Sequence, residues 1–170
     1  SILNWFGDHH GDRLGTLGQY YLFNGLNAGK IVGLAAYGDP SILDEVVSHR
    51  FHMEGGGFRI GENLNPFFAR HLAVNFPMVD VAAAWQFVLE KVAVHLVEHW
   101  ADVLGCKNVV LSGGVAANVK MNQRIHEAEG IEGIFIYPNM GDGGCGSGIA
   151  MHQSHPGSST TPFESAYQGP

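Results

Sequence analysis

Two glycine turns hold the residues best suited to chemistry. The first lies in Leu111-Ser-Gly-Gly-Val-Ala-Ala-Asn118, where an apolar stretch runs into Gly113 and Gly114 and a helix-forming stretch follows. Glycines let the main chain approach a ligand closely, and the first N–H groups of a helix lack intrahelical partners and sit at its positive end. That combination suits a nucleotide phosphate, with Asn118, in the expected first turn of the helix, as a further hydrogen-bonding group. The same residues also fit a strand–helix turn that uses glycine for geometry alone. The second turn is Gly141-Asp-Gly-Gly144. Asp142 follows one apolar stretch and precedes another, where a carboxylate either caps a helix or holds a divalent metal beside phosphates.

Other motifs are weaker. His95-Leu-Val-Glu-His99 matches the spacing of inverted zinc peptidases, and its histidines share a helix face. The apolar stripe of that helix leaves Glu98 and His99 largely off it, and no third ligand is identifiable. Asp8-His-His10 has the form of a phosphoesterase signature but lacks the further aspartates that chemistry needs. Gly25 to Lys30 is one residue short of a P-loop, and Ile31 stands where Ser or Thr would hold magnesium.

The elements that must position these groups follow from periodicity. Residues 14–24 read as a short helix, 25–40 as a glycine-punctuated stretch, and Ser41 as the cap of a helix through about residue 48. Phe51-His-Met and Phe58-Arg-Ile, flanking Glu54 to Gly57, predict a β-hairpin, and residues 61–77 read as irregular. Asp80 is the expected N-cap of a long helix whose apolar stripe is Val81, Trp85, Val88, Val92, Leu96, Trp100 and Val103. Gly105 ends it. Then come a strand over Asn108 to Ser112, a helix from Val115 to about Glu129, a strand from Gly133 to Tyr137, and a small-residue helix from the Gly141 turn to about Gln153. Residues 155–161 read as linker. Helix–strand–helix–strand–helix predicts parallel pairing, which sets both glycine turns side by side at the carboxyl edge of the sheet, where ligands bind in such folds. The fold class is α/β, divided into a glycine-rich irregular region with the hairpin over 1–77, a nucleotide-binding lobe over 78–153 and a linker over 154–170.

Composition narrows the function classes. The chain has 170 residues, is 45% hydrophobic and only 15% charged, and contains 24 glycines, which points to a real core with tight turns. A net charge of −7 argues against nucleic-acid binding. Two cysteines, Cys106 and Cys145, cannot form a disulfide framework, so a reducing cytoplasmic setting is expected. No apolar run approaches the ~18 residues of a membrane span. The chain starts at Ser1 and ends in loop-like sequence, as expected for part of a longer protein.

Taken together, separated motifs resemble one family. Gly29-Lys-Ile-Val-Gly-Leu-Ala-Ala-Tyr-Gly38 is similar to the "GK-hydrophobic-MGLAxYG" segment of the nodulation and antibiotic-tailoring O-carbamoyltransferases. Leu111 to Asn118 resembles their "GGVAxN" loop, Tyr137 to Gly144 their "PxxGDxG" turn, and Ala166-Tyr-Gln-Gly-Pro170 their "AYLGP" segment. The order and spacing agree over roughly residues 14–170. Val32 replaces the family's Met, and Ala28 stands where the family usually has an acidic residue.

The resemblance implies an actin-like ATPase fold (ribonuclease H-like, a mixed sheet flanked by helices), related to the enzyme that makes threonylcarbamoyladenosine in tRNA. It implies that an upstream lobe and a downstream YrdC-like domain complete the protein. In the family the YrdC-like domain makes carbamoyl adenylate from carbamoyl phosphate and ATP, and the actin-like domain passes the carbamoyl group to a small-molecule hydroxyl acceptor, with a bound metal ion, Fe(II). Carried over by position, Lys30, Gly113, Gly114, Asn118 and Gly141 fall at the nucleotide site and Asp142 on a metal ligand. The family's metal-binding histidine pair lies upstream. His95 and His99 have its spacing in a different helix and do not inherit the role. Weak nucleotide binding and no turnover are expected of the isolated chain, and a homodimer is a further possibility. The competing functions are a non-catalytic nucleotide-binding or interaction module, in which Asp142 is only a cap, and a kinase of the same superfamily.

Overall fold

A computed structural model describes residues 28–42, 51–60, 71–72 and 74–154. The expected helix over 14–24, the Asp8 motif, most of the helix begun at Ser41, the linker and the segment ending at Pro170 lie outside these residues. The architecture is mixed α/β.

Helix α1 (Ala28–Ala35) replaces part of the expected glycine-punctuated stretch. Its glycines weigh against a helix, but Ile31 is buried and Val32, Leu34 and Ala35 pack against the core. One apolar face docked on a neighbour outweighs local propensity. A single 3-10 turn, Pro40–Ile42, follows.

Strands β1 (Phe51–Glu54) and β2 (Gly57–Ile60) form the predicted hairpin, antiparallel with Phe51 opposite Ile60 and Glu54 opposite Gly57. Residues expected to be irregular include helical positions at 71–72 and 74–75, with a hydrogen bond from the Phe76 N–H to the Leu72 carbonyl.

Helix α2 (Met78–Leu104), 27 residues long, is the central element. Its N-cap is Pro77, not Asp80. Proline has no N–H to leave unsatisfied at a helix start. Asp80 lies in the first turn, where its charge still opposes the helix dipole, and its Oδ1 accepts from the Asp39 N–H at 2.8 Å. At the other end Gly105 adopts a left-handed conformation (φ 64°), and the Cys106 N–H reaches back to the Ala101 carbonyl at 2.9 Å, a Schellman closure that favours glycine.

Only the first half of the predicted stripe is core. Val81, Trp85, Val88 and Val92 are buried, Trp85 meeting Phe51 edge-on with centroids 5.7 Å apart. Trp100 and Val103 remain 49% and 57% exposed. Trp100 instead anchors the hairpin, its Nε1–H donating to the Gly56 carbonyl at 2.9 Å.

Strands β3 (Asn108–Leu111) and β4 (Gly133–Ile136) pair in parallel, with Asn108 opposite Gly133 and Leu111 opposite Ile136. Side chains alternate between faces. Leu111 and Ile134 pack towards the helical core, whereas Val110 and its partner Phe135 are 72% and 46% exposed. The described strands thus form two separate two-stranded sheets, one antiparallel and one parallel, in place of a single mixed sheet.

Helix α3 (Val119–His126) is shorter than predicted at both ends, because Gly114–Ala117 forms a 3-10 turn and Asn118 is the cap that starts the helix proper. Helix α4 (Gly144–Ser154) begins at the second glycine turn as expected. No helix among the described residues is long and apolar enough to cross a membrane.

Candidate functional site

The parallel register brings the glycine turns together. Leu111 and Ile136 are the last paired residues of β3 and β4, so both strands release their chains at the same edge. The turns then join: the Gly113 N–H donates to the Met140 carbonyl at 2.7 Å. Gly113 has φ 97° and ψ 158°, a region essentially restricted to glycine.

Gly114 and Gly141 stand differently. Neither has a left-handed φ, and a methyl group on either would meet nothing within 4 Å. Crowding among the described residues therefore does not require glycine at these positions. Together they leave an open ledge at the carboxyl edge of the strands, bordered by the leading N–H groups of the Gly114 turn, which have no partner among the described residues.

On the other side of that ledge, the Gly144 N–H donates to the Gly141 carbonyl at 3.0 Å and the Cys145 N–H to the Asp142 carbonyl at 3.1 Å. Ser147 Oγ donates to the Gly144 carbonyl at 2.9 Å and accepts from the Tyr137 hydroxyl at 2.8 Å. Asp142 is exposed, and among the described residues its carboxylate makes no hydrogen bond.

Asn118 is engaged inside the protein. It is 7% exposed, and its Oδ1 accepts from the Met121 N–H at 3.0 Å as the α3 cap. The same oxygen accepts from Gln86 Nε2 at 3.1 Å, and Asn118 Nδ2 donates to Gln86 Oε1 at 2.8 Å. Gln86 also donates to Glu90 Oε1 at 2.8 Å, and Glu90 Oε2 pairs with Arg124 Nε at 3.3 Å. Hydrogen bonds to Glu127 and Glu90 raise the Arg124 pKa above its ordinary value. Bonds from Gln123 and then Arg124 hold the Glu127 carboxyl below the usual carboxylate range. Sequence reasoning passed over Gln86 and Glu90. Their signal is present in hindsight: two polar residues one helical turn apart within the most buried part of α2.

Lys30 is exposed on α1, which packs against α2, and no hydrogen bond among the described residues ties it to either glycine turn. His95 and His99 have ring centroids 6.5 Å apart. Among the described residues no group of three or more His, Cys, Asp or Glu side chains could hold a metal ion, so the zinc-peptidase spacing gains no third ligand. A groove of about 510 Å³, lined by Asp102, Cys106, Lys107 and Gly130 among others, opens at the amino ends of the strands, opposite the glycine ledge.

Comparison with known proteins gives the family. Residues 13–151 match the model of the carbamoyltransferase N-terminus, a span that includes α1, both glycine turns and α2. The chain belongs to the carbamoyltransferase family. It is 30% identical over 153 residues to the nodulation protein NolNO of Sinorhizobium fredii, covering 83% of this chain and 22% of that protein. It is also 30% identical over 131 residues to the nodulation protein NolO of Bradyrhizobium diazoefficiens, covering 72% of this chain and 24% of that protein. The chain thus spans about a quarter of the length of these relatives. Family membership agrees with the resemblance read from the Lys30, Gly113 and Asp142 segments.

Proposed function

We propose that this chain forms one wall of the site at which a carbamoyltransferase moves a carbamoyl group from carbamoyl adenylate to the hydroxyl of a small-molecule acceptor. The observation that carries the reading is the Gly113–Met140 hydrogen bond of 2.7 Å. It makes one ledge of two turns that are 27 residues apart in sequence (113 against 140), inside a chain of carbamoyltransferase ancestry. In this reading the domain has an actin-like ATPase fold. Gly113, Gly114 and Gly141 face the nucleotide phosphate, with Lys30 reaching the same nucleotide in the complete protein.

The chemistry suits such a ledge. In the transfer, the acceptor oxygen forms a bond to the carbamoyl carbon, the bond from that carbon to the adenylate phosphate oxygen breaks, AMP leaves and the hydroxyl proton is released. A mixed anhydride is already activated, so the protein's work is to hold the phosphate, orient the acceptor and exclude water. Unpaired N–H groups can hold a phosphate without net positive charge, which accommodates a chain of net charge −7.

The residues described here do not by themselves fit a metal site. Asp142 is exposed and has no companion ligands among them. Iron bound by Asp142 would draw its other ligands from elsewhere in the full-length protein, and carbamoyl adenylate would come from a YrdC-like domain of that protein. The uncovered pair Val110 and Phe135 supports a fold in which more protein packs on this sheet.

The test is an assay of the full-length protein with ATP, carbamoyl phosphate and a panel of small hydroxyl compounds. The expected result is carbamoylation of an acceptor coupled to AMP release. Phosphate transfer from ATP that does not require carbamoyl phosphate would replace this reading with a kinase.

A further inference from the structure

We propose that Gln86 is a positioning residue. Through Asn118, it holds the Gly113–Ala117 turn in the shape that receives the nucleotide. The inference rests on the reading that this turn faces the nucleotide phosphate.

The side-chain amide of Asn118 offers four hydrogen-bonding directions, two from its oxygen and two from its nitrogen. Three are consumed inside the protein: the oxygen accepts from the Met121 N–H at 3.0 Å and from Gln86 Nε2 at 3.1 Å, and the nitrogen donates to Gln86 Oε1 at 2.8 Å. Asn118 and Gln86 are 7% and 5% exposed. Turning Asn118 out to touch a ligand would strand the Gln86 carbonyl and break the α3 cap in a buried setting, where an unmade hydrogen bond is costly. The residue that matches the family's asparagine therefore acts by fixing the backbone before it.

Gln86 is itself oriented. Its Nε2 also donates to Glu90 Oε1 at 2.8 Å, and the other Glu90 oxygen is held by Arg124 on α3 at 3.3 Å. A second brace acts on the same turn from α3: Asn122 Nδ2 donates to the Ala116 carbonyl at 2.8 Å. The turn that carries Gly113 and Gly114 is thus fastened at its end to α2 and in its middle to α3. This leaves its leading N–H groups free for a ligand while removing the freedom that a glycine pair confers. Preorganisation of this kind strengthens binding without any new contact to the ligand.

The test is amide hydrogen exchange of the peptide spanning residues 112–121 in the full-length protein, with and without ATP. Gln86→Leu removes the amide partner. Asn118→Asp keeps the cap acceptor for Met121 but cannot donate to Gln86, so it carries the test even where Gln86→Leu folds poorly. Each variant is expected to exchange about tenfold faster in this peptide without nucleotide, with peptides of the α1–α2 core unchanged. Each is also expected to need about tenfold more ATP for protection, and the double variant no more than either single one. Unchanged exchange in Asn118→Asp overturns the proposal. So does a loss of ATP protection in Asn118→Ser, which keeps a capping oxygen for α3, that Gln86→Leu does not share, because Asn118 would then touch the nucleotide itself. If ATP fails to protect this peptide in the wild-type protein, the nucleotide reading falls, and the positioning role falls with it whatever the variants do.

Discussion

The N–H of Gly113 lies 2.7 Å from the carbonyl oxygen of Met140, so the turn after β3 and the turn after β4 are built as one surface. A ligand bound to either turn must feel the geometry of both.

Gly113→Ala places a side chain at φ 97° and is expected to destabilise the protein by about 1–3 kcal/mol. Urea denaturation of the full-length protein, compared with wild type, measures the loss. An unchanged midpoint would show that the turn relaxes to another conformation.

Gly114→Val separates binding from stability. Among the described residues nothing lies within 4 Å of a Cβ at this position, so the variant should melt within about 0.5 kcal/mol of wild type, as surface substitutions do. Under the proposed function, however, its isopropyl group occupies phosphate space, and carbamoyl transfer should fall by at least an order of magnitude. Full activity in this variant would remove Gly114 from the site.

Asp142→Ala should leave stability nearly unchanged, because the residue is exposed and its hydrogen bond to Cys145 uses the main-chain carbonyl. Metal content of the full-length protein, measured by elemental analysis, should drop along with transferase activity. Equal metal content in both proteins would leave Asp142 as a turn residue only.

Trp85→Ala removes a side chain that is 2% exposed and meets Phe51 edge-on. The expected cost is about 3–5 kcal/mol, read from chemical denaturation, with loss of soluble protein as its extreme form.

Acid should weaken the pairing of α3. The folded-state pKa of Glu127 is lowered, first by Gln123 and then by Arg124. Its contribution is therefore present above the ordinary carboxylate range and is lost as pH falls through the lower, folded value. Wild type and Glu127→Gln should differ slightly in melting temperature at neutral pH and converge in acid. The difference should be small because the pair is exposed.

Several elements were legible in the chain because their signals are local. Hydrophobic period marked α2, the Gly105 stop and the parallel strands, and alternation around Glu54 to Gly57 marked the hairpin. Helix starts were less legible. Asp80 reads as an N-cap and Val115 as a helix start, but Pro77 and Asn118 take the cap positions, since neighbouring backbone and buried partners decide where the first turn closes. Helix α1 was missed because its glycines argue locally against a helix, and only its packing on the core outweighs them.

By itself the sequence marked Lys30, Gly113, Gly114, Asn118, Gly141 and Asp142 as candidates, and it determined that parallel strands would carry the two glycine turns to a common edge. Residue type and periodicity suffice for that, because strand direction fixes which end each turn leaves from. Only the tertiary structure decided which of the candidate polar groups are hydrogen-bonded inside the protein and which face solvent. Asn118 reads in the sequence as a ligand on a helix, yet it is buried against Gln86, a residue 32 positions away, while Asp142 stands in solvent. The physical reason is that hydrogen-bond partners across an interface depend on how α2 and α3 pack: the spacing of Gln86 and Glu90 marks two polar residues on one helix face, but not the partner that packing brings to them.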